Sequence, residues 1–326
     1  KSISLKVDYA EAYNNLGVTL QAQGKFDEAI KTYNKSVSLK SDYAQAYNNI
    51  GVTLKDQDEL DKALKAYKKS ISLKPDYAEA YSNMGLTLHS QGKLNKAIKA
   101  HNKSISLRPN FCDAYCNKGG ALHDQGKFDE AIDSYKKSIF LKPDYAEAYN
   151  NMGVAFQSQG KLEEALETYK KSISLKPNYA DAYNNMGALL QDLGKRDEAI
   201  EICKKSISLK PNYAEAHHNL SFALLNSGRL KEGLEESEWR WKTKKYFNKN
   251  RRFLQPMWDG TQSLNDKRIL LWCEQGIGDT INWSSFLSLL TSKTKNCILE
   301  CNQKLVPLLK RSFPNVDVRH ENRNLD

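Results

Sequence analysis

At 326 residues and 40% apolar content the chain exceeds one ordinary domain and can bury a continuous core, which predicts a folded protein of two units rather than a disordered polymer. The net charge of +10 admits an acidic partner or nucleic acid without choosing between them, since placement of charge matters more than its sum. Six cysteines include no C-x-x-C pair, which predicts reduced thiols and a cytoplasmic setting, and no apolar run reaches the roughly 20 residues that a membrane helix needs. The first residues, KSISLKVDYA, match the interior phrase KKSISLKPDYA, so the sequence is expected to begin inside a repeat, which leaves a signal peptide upstream open.

From Asp8 the phrase DYAEAYNNLG returns at Asp42, Asp76, Asn110, Asp144, Asn178 and Asn212, always 34 residues apart. Within each unit small and aromatic residues such as Ala10, Tyr13, Leu16, Leu20, Phe26, Ala29, Ile30 and Tyr33 recur at three- and four-residue steps. That spacing predicts two amphipathic helices per repeat. Gly24 and its counterparts separate them, where a helix C-terminus needs positive φ, and Pro75, Pro109, Pro143, Pro177 and Pro211 end one repeat and open the next. Asp76 with Glu79 and Asp144 with Glu147 have capping-box spacing.

With Pro75, Ala78, Tyr81, Met84, Gly85 and Ala97 in place, the unit resembles the tetratricopeptide repeat over residues 1 to about 240. The fold implied is mainly α: a right-handed superhelical solenoid of seven helix pairs with a concave groove, because one pair cannot bury its apolar face alone. Lys118, Ser221 and Asp58 depart from the pattern, replacing an apolar residue, a helix glycine and the turn glycine, and predict local softness.

In the resembled family the first helix of each pair lines the concave face. On that helix Asn15, Asn49, Asn83, Asn117, Asn151, Asn185 and Asn219 fill one repeat position, while the preceding position drifts through Asn14, Ser82, Cys116 and His218. Asparagine is a mediocre helix former that offers both donor and acceptor, so the column reads as a ladder for a ligand backbone; the alternative is that near-identical repeats copy every residue. The repeats look most like those of protein O-GlcNAc transferases, where such a ladder holds extended polypeptide. With helices about 10 Å apart and a strand advancing about 3.3 Å per residue, roughly three ligand residues would match one repeat.

Four residues before each asparagine stand Glu11, Gln45, Glu79, Asp113, Glu147, Asp181 and Glu215, which make the groove acidic or else complete capping boxes. Lys35, Lys69, Lys103, Lys137, Lys171 and Lys205 recur on the second helices and read as a solvated outer face. An acidic groove disfavours nucleic acid, which would need that outer face. Cys112, Cys116, His89 and His123 lack the tight paired spacing of a zinc site, although Cys116, His89 and His123 could converge on the groove. The expected partner is therefore a protein or extended peptide; oligomeric state is left open.

After Leu234 the pattern breaks, and residues 241–266 form a basic and aromatic junction. Trp239 and Trp241 are expected to cap the last repeat and Trp258 to pack on the next domain, although basic charge interleaved with Tyr246, Phe247 and Phe253 is also one signature of a nucleic-acid surface. Residues 267–326 then read strand, glycine turn, helix, strand at Cys297–Cys301, helix near Lys304–Ser312 and strand at Val316–Arg319. This is βαβαβ, an incomplete Rossmann-like α/β domain. Gly276 and Gly278 allow a tight turn at the carboxyl end of the first strand, where such sheets place ligands, but the third glycine of a dinucleotide fingerprint is missing.

WDG, ILLWCEQGIGDTI and the following βαβ are similar to the N-terminal half of heptosyltransferase-type glycosyltransferases of the GT-B fold, as found after repeats in bacterial tetratricopeptide proteins. The resemblance assigns Asp279 as catalytic base toward an acceptor hydroxyl; the alternative is a cap on a helix starting near Thr280. It implies a longer parent that uses a nucleotide sugar, no cofactor in this chain, and no catalysis by this chain without a donor-binding half. A scaffold without catalysis is the alternative, and an RNA-associated basic solenoid a third.

Overall fold

The computed structural model describes residues 8–243, 255–258, 260–273 and 276–320. The chain divides into two compact units, 1–240 and 241–326.

In the first unit the helices follow the 34-residue period. They are α1 Asp8–Ala22, α2 Phe26–Leu39, α3 Ala44–Asp56, α4 Leu60–Leu73, α5 Ala78–Ser90, α6 Leu94–Leu107, α7 Cys112–Asp124, α8 Phe128–Leu141, α9 Ala146–Ser158, α10 Leu162–Leu175, α11 Ala180–Asp192, α12 Arg196–Leu209, α13 Ala214–Asn226 and α14 Leu230–Ser237. Each packs on the next, giving the mainly helical solenoid. Gly24, Gly92, Gly126, Gly160, Gly194 and Gly228 adopt φ of 70–80° in the turns inside repeats, and Asp58 takes the same conformation at φ 62°. Within the repeat a helix glycine faces a ring: a Cβ on Gly51 would lie 2.5 Å from Cε1 of Tyr67, and one on Gly119 would lie 2.6 Å from Cε1 of Tyr135.

A second device joins the paired helices. Ser36, Ser70, Ser104, Ser138, Ser172 and Ser206, all buried, donate from Oγ to the carbonyls of Ala10, Ala44, Ala78, Cys112, Ala146 and Ala180 near the start of the first helix, at 2.5–2.9 Å. These bonds satisfy carbonyl and hydroxyl together in a site closed to water, where leaving either unpaired costs about 1–3 kcal/mol.

The capping boxes do not form. Tyr77 and Tyr145 are the N-cap residues, with no side-chain cap bond, so Asp76 and Asp144 fall one residue too early. The acids find other partners: Glu79 pairs with Arg108, and Glu147 accepts from Lys176 Nζ at 2.6 Å. Lys74 and Lys142 lie over the rings of Tyr77 and Tyr145, 5.2 and 4.7 Å from the centroids, a cation–π contact repeated at most junctions.

Ser221 is not a soft point. Its Oγ donates to the Gly233 carbonyl at 2.8 Å, and Gly233 fills the position that alanine holds in the six preceding repeats, so bulk gained on one helix is removed from the other. Trp239 stacks on His217, centroids 3.9 Å apart and planes 4° apart, and so closes the last repeat; Trp241, the first residue of the second unit, packs within that unit beside Trp272, centroids 5.9 Å apart. Trp258 is 39% exposed and donates from Nε1 to the Gln262 carbonyl at 2.9 Å. The basic and aromatic residues of 244–254, including Tyr246, Phe247 and Phe253, lie outside the described residues.

The second unit holds a small parallel sheet in the order β1 Arg268–Trp272, β2 Asn296–Cys301, β3 Asp317–His320, with Ile269 opposite Cys297 and Leu299 opposite Val318. Helices α15 Ile277–Ser284 and α16 Leu287–Thr291 connect the first two strands, and α17 Val306–Ser312 the last two. Cys297, Leu299, Cys301, Leu305, Leu309 and Val318 form its core. The three strands fall within a residue or two of their expected places, and parallel pairing across helical connections is what their apolar runs predict.

Candidate functional site

The ladder asparagines sit midway along the first helices at one repeat position, the sixth residue of α3, α5, α7, α9, α11 and α13. Asn15 is exposed and the other six are half-buried. Each of those six reaches back to the preceding repeat. Asn49, Asn83, Asn185 and Asn219 donate from Nδ2 to Oδ1 of Asn14, Asn48, Asn150 and Asn184 at 2.9–3.0 Å. Asn117 donates to Ser82 Oγ at 3.4 Å and Asn151 to Cys116 Sγ at 3.8 Å. The column before the ladder, which drifts in sequence, therefore keeps one property: every member met by a ladder asparagine accepts a hydrogen bond. An amide has two N–H donors and a carbonyl oxygen with two lone pairs, so this one bond leaves each ladder residue further capacity. In two repeats part of it is used locally, since Asn151 and Asn185 accept from Asn150 and Asn184 at 3.3 and 3.4 Å.

Sequence reasoning missed these inter-repeat bonds. A donor and an acceptor 35 residues apart, recurring down the chain, is the signal that carries them.

Around the ladder the acid column is largely engaged. Besides Glu79 and Glu147, Asp113 stands beside the Tyr145 hydroxyl and Asp181 beside that of Tyr213, and burial together with these carboxylates pushes both phenols far above the usual range. Burial raises the Glu147 carboxyl, but Lys176 outweighs it and leaves the group below its ordinary value. The face is thus less acidic than its sequence suggests. One turn beyond the ladder, Val52, Leu86 and Val154 are half-buried and Val18 and Phe222 are exposed, an apolar row beside the amides.

Cys116, His89 and His123 do not converge. Cys116 is buried, its thiol pushed up to about 12 by desolvation, and accepts from Asn151. His89 Nε2 lies 2.7 Å from Asp124 Oδ2, while His123 lies 3.1 Å from Asp124 Oδ1 through Nδ1 and 3.0 Å from Ser158 Oγ through Nε2. Among the described residues no group of three His, Cys, Asp or Glu side chains is placed to hold a metal ion. Likewise no described helix is long and apolar enough to cross a membrane.

In the second unit Asp279 is exposed in the first turn of α15, which begins at Ile277 rather than near Thr280. Gly276 is the N-cap residue at φ −69°, Gly278 lies within the helix, and neither has positive φ. Asp279 therefore does not cap α15; its charge stands at the end of the helix where the macrodipole favours an anion. Thr280 Oγ1 and the Thr280 amide both donate to the Gly276 carbonyl at 3.1 Å.

Family models described as TPR repeat match residues 119–160 and 155–194, and models described as tetratricopeptide repeat match 8–76, 42–110 and 180–213. Comparison with curated proteins gives no match. Among solved structures the chain is similar to the APC/C hetero-tetramer Cut9–Hcn1, with 19% identity over 66% of this chain and 43% of that one and a TM-score of 0.60. It is similar to PilF of Pseudomonas aeruginosa, with 19% identity over 64% and 94% of the two chains and a TM-score of 0.55. It is also similar to the thermophilic TPR protein TTC0263 of Thermus thermophilus, with 22% identity over 56% and 99% and a TM-score of 0.50. The chain spans less than half of the Cut9–Hcn1 chain it matches, and at these identities the likeness is one of fold. With repeat models covering 8–110 and 119–213, more than half of its length, and helix pairs that follow the same period, the chain belongs to the tetratricopeptide-repeat family.

Proposed function

We propose that the first-helix face is a groove that binds an extended polypeptide, with Asn15, Asn49, Asn83, Asn117, Asn151, Asn185 and Asn219 bonding its backbone. The observation that carries this reading is the fixed posture of the ladder. Six of these amides are oriented by a bond to the neighbouring repeat while keeping unused donors and acceptors, so ligand binding pays little to order them. The adjoining row of Val18, Val52, Leu86, Val154 and Phe222 supplies apolar contact for alternate side chains. Photo-crosslinking tests it: with a benzophenone residue at Leu86, an unstructured test polypeptide crosslinks; with the same group at Lys99, it does not. Equal crosslinking at both positions contradicts the groove.

In the finer form of the reading, the groove recruits an acceptor polypeptide for a glycosyltransferase whose donor is a nucleotide sugar, and Asp279 takes the proton from the acceptor hydroxyl. Its support is the resemblance of the second unit, a parallel βαβαβ arrangement, and an exposed carboxylate following the first strand. Nucleotide-sugar turnover by the intact parent protein that collapses in Asp279→Asn supports it. Peptide binding without turnover leaves the scaffold reading.

A further inference from the structure

The second helices carry a charge pattern that the ladder does not use. Lys62, Lys65 and Lys69 on α4, and Lys96, Lys99 and Lys103 on α6, each stand at i, i+3 and i+7 and so share one helix face; all six are exposed. Two repeats further on, the two leading positions reverse sign: Glu130 and Asp133 on α8, Glu164 and Glu167 on α10, again exposed. Lys62 and Lys96 occupy the first turn of their helices, where the macrodipole favours anions, so helix stability does not account for them.

Because the repeats are built alike, the basic block and the acidic block have the same spacing, about 4.5 Å between i and i+3 along a helix and one repeat step between helices. A two-fold axis parallel to the helices, between α6 and α8, sets α6 against α8 of a second copy and α4 against α10. Lys99 then faces Asp133, Lys96 faces Glu130, Lys65 faces Glu167 and Lys62 faces Glu164, and the symmetry repeats all four. Lys31 and Glu201 extend the same register one repeat outward, while Glu28 and Glu198 there carry like charge and bound the complementary block at repeats two to five.

A second observation falls on this face. Phe140 is 79% exposed at a position where the five other repeats with a full second helix carry Ser38, Ser72, Ser106, Ser174 and Ser208. It lies seven residues after Asp133, on the same side of α8. In the pairing it meets the small Ser106 of the other copy.

We infer that the outer face of repeats two to five is a self-association surface on which a second copy of this chain docks in reversed repeat order, an isologous contact that closes at two. The acids' present partners are exposed and exchangeable: Lys127 to Glu130 at 3.5 Å and Lys170 to Glu167 at 3.0 Å. Lys62 pairs with Glu59 in the same way. Lys69, Lys103, Lys137 and Lys171 lie about 6 Å further along their helices and face like charge, which keeps the dimer weak and salt-sensitive.

Sedimentation velocity of the full chain tests this, at about 10 mM and about 1 M salt, where the screening length is about 30 and 3 Å. The expected result is a dimer at low salt that dissociates at high salt. Two quadruple variants follow, Lys62→Glu/Lys65→Glu/Lys96→Glu/Lys99→Glu and Glu130→Lys/Asp133→Lys/Glu164→Lys/Glu167→Lys. Both place at each position the charge that the fold already carries at the equivalent position of another repeat. Each alone is expected to be monomeric, and an equal mixture to form a one-to-one pair. If either fails to fold, Phe140→Ser is expected to raise the dimer dissociation constant by about tenfold, a loss of about 1.4 kcal/mol. A wild type monomeric at low salt, a dimer that persists in both variants, a mixture that stays apart, or a Phe140→Ser protein that dimerises unchanged overturns the inference; monomers that bind polyglutamate would assign the lysine face to an acidic partner instead.

Discussion

Asn185 reaches one repeat back and donates from Nδ2 to Oδ1 of Asn150 at 3.0 Å, so the proposed ligand ladder and the stitching of the solenoid share one side chain. Asn150 is buried, and Asn150→Leu removes the acceptor while leaving Asn185 in place. The expected loss is about 0.5–1.5 kcal/mol, the net worth of one hydrogen bond, because the half-buried Asn185 amide left behind keeps access to water, and urea unfolding measures it.

Two neighbouring glycines should respond in opposite directions. A Cβ on Gly119 would lie 2.6 Å from Cε1 of buried Tyr135, whereas one on Gly120 meets nothing nearer than His89 Cε1 at 3.6 Å. Gly119→Ala is expected to lose about 1–2 kcal/mol, overpacking outweighing the gain in helix propensity. Gly120→Ala is expected to gain up to about 1 kcal/mol from that propensity alone. Thermal melts of the two variants provide the comparison.

His101 stands where repeats one, two, four and five carry Tyr33, Tyr67, Tyr135 and Tyr169. It is fully buried, neither ring nitrogen has a hydrogen-bond partner, and desolvation, reinforced by His89 and Lys118, lowers its pKa from 6.5 to about 4. Between these values the unfolded chain binds the extra proton, so stability is full above pH 6.5 and falls as pH drops toward 4. The loss amounts to roughly 3 kcal/mol. His101→Tyr should flatten this dependence, as read from denaturant midpoints across that range.

Asp58 holds φ 62° where the other repeats place glycine. Asp58→Gly relieves the left-handed strain of a residue bearing a Cβ, with an expected gain of about 0.5–1 kcal/mol. An unchanged or lowered midpoint would mean that the Asp58 side chain makes a compensating contact.

The helices, turn glycines and parallel strands were legible in the sequence because each rests on local periodicity or on the φ that a turn demands. Contacts 26 and 35 residues apart were not. The serine staples and the acceptors Asn14, Ser82 and Cys116 emerge only when helices stack, because side-chain chemistry there is judged against a partner in another helix. The capping boxes failed for the complementary reason: Asp76 and Asp144 have the right spacing, but the helices begin after Tyr77 and Tyr145, and Arg108 and Lys176 claim the acids. Gly276 and Gly278, read as allowing a tight turn, stand at the N-cap and inside α15 without positive φ.

The groove is tested most directly by fluorescence anisotropy with a labelled pool of unstructured peptides about 20 residues long, the length that seven repeats would span. Two variants are compared with the wild type: Asn83→Ala/Asn117→Ala/Asn151→Ala, which removes ladder amides, and Asn48→Ala/Ser82→Ala/Cys116→Ala, which removes only the acceptors behind them. A loss of about tenfold or more in the first, three backbone hydrogen bonds being worth at least that much, and a smaller but measurable loss in the second, whose amides remain but must now be ordered on binding, is the predicted result. Equal affinity in the wild type and the ladder variant would contradict the account.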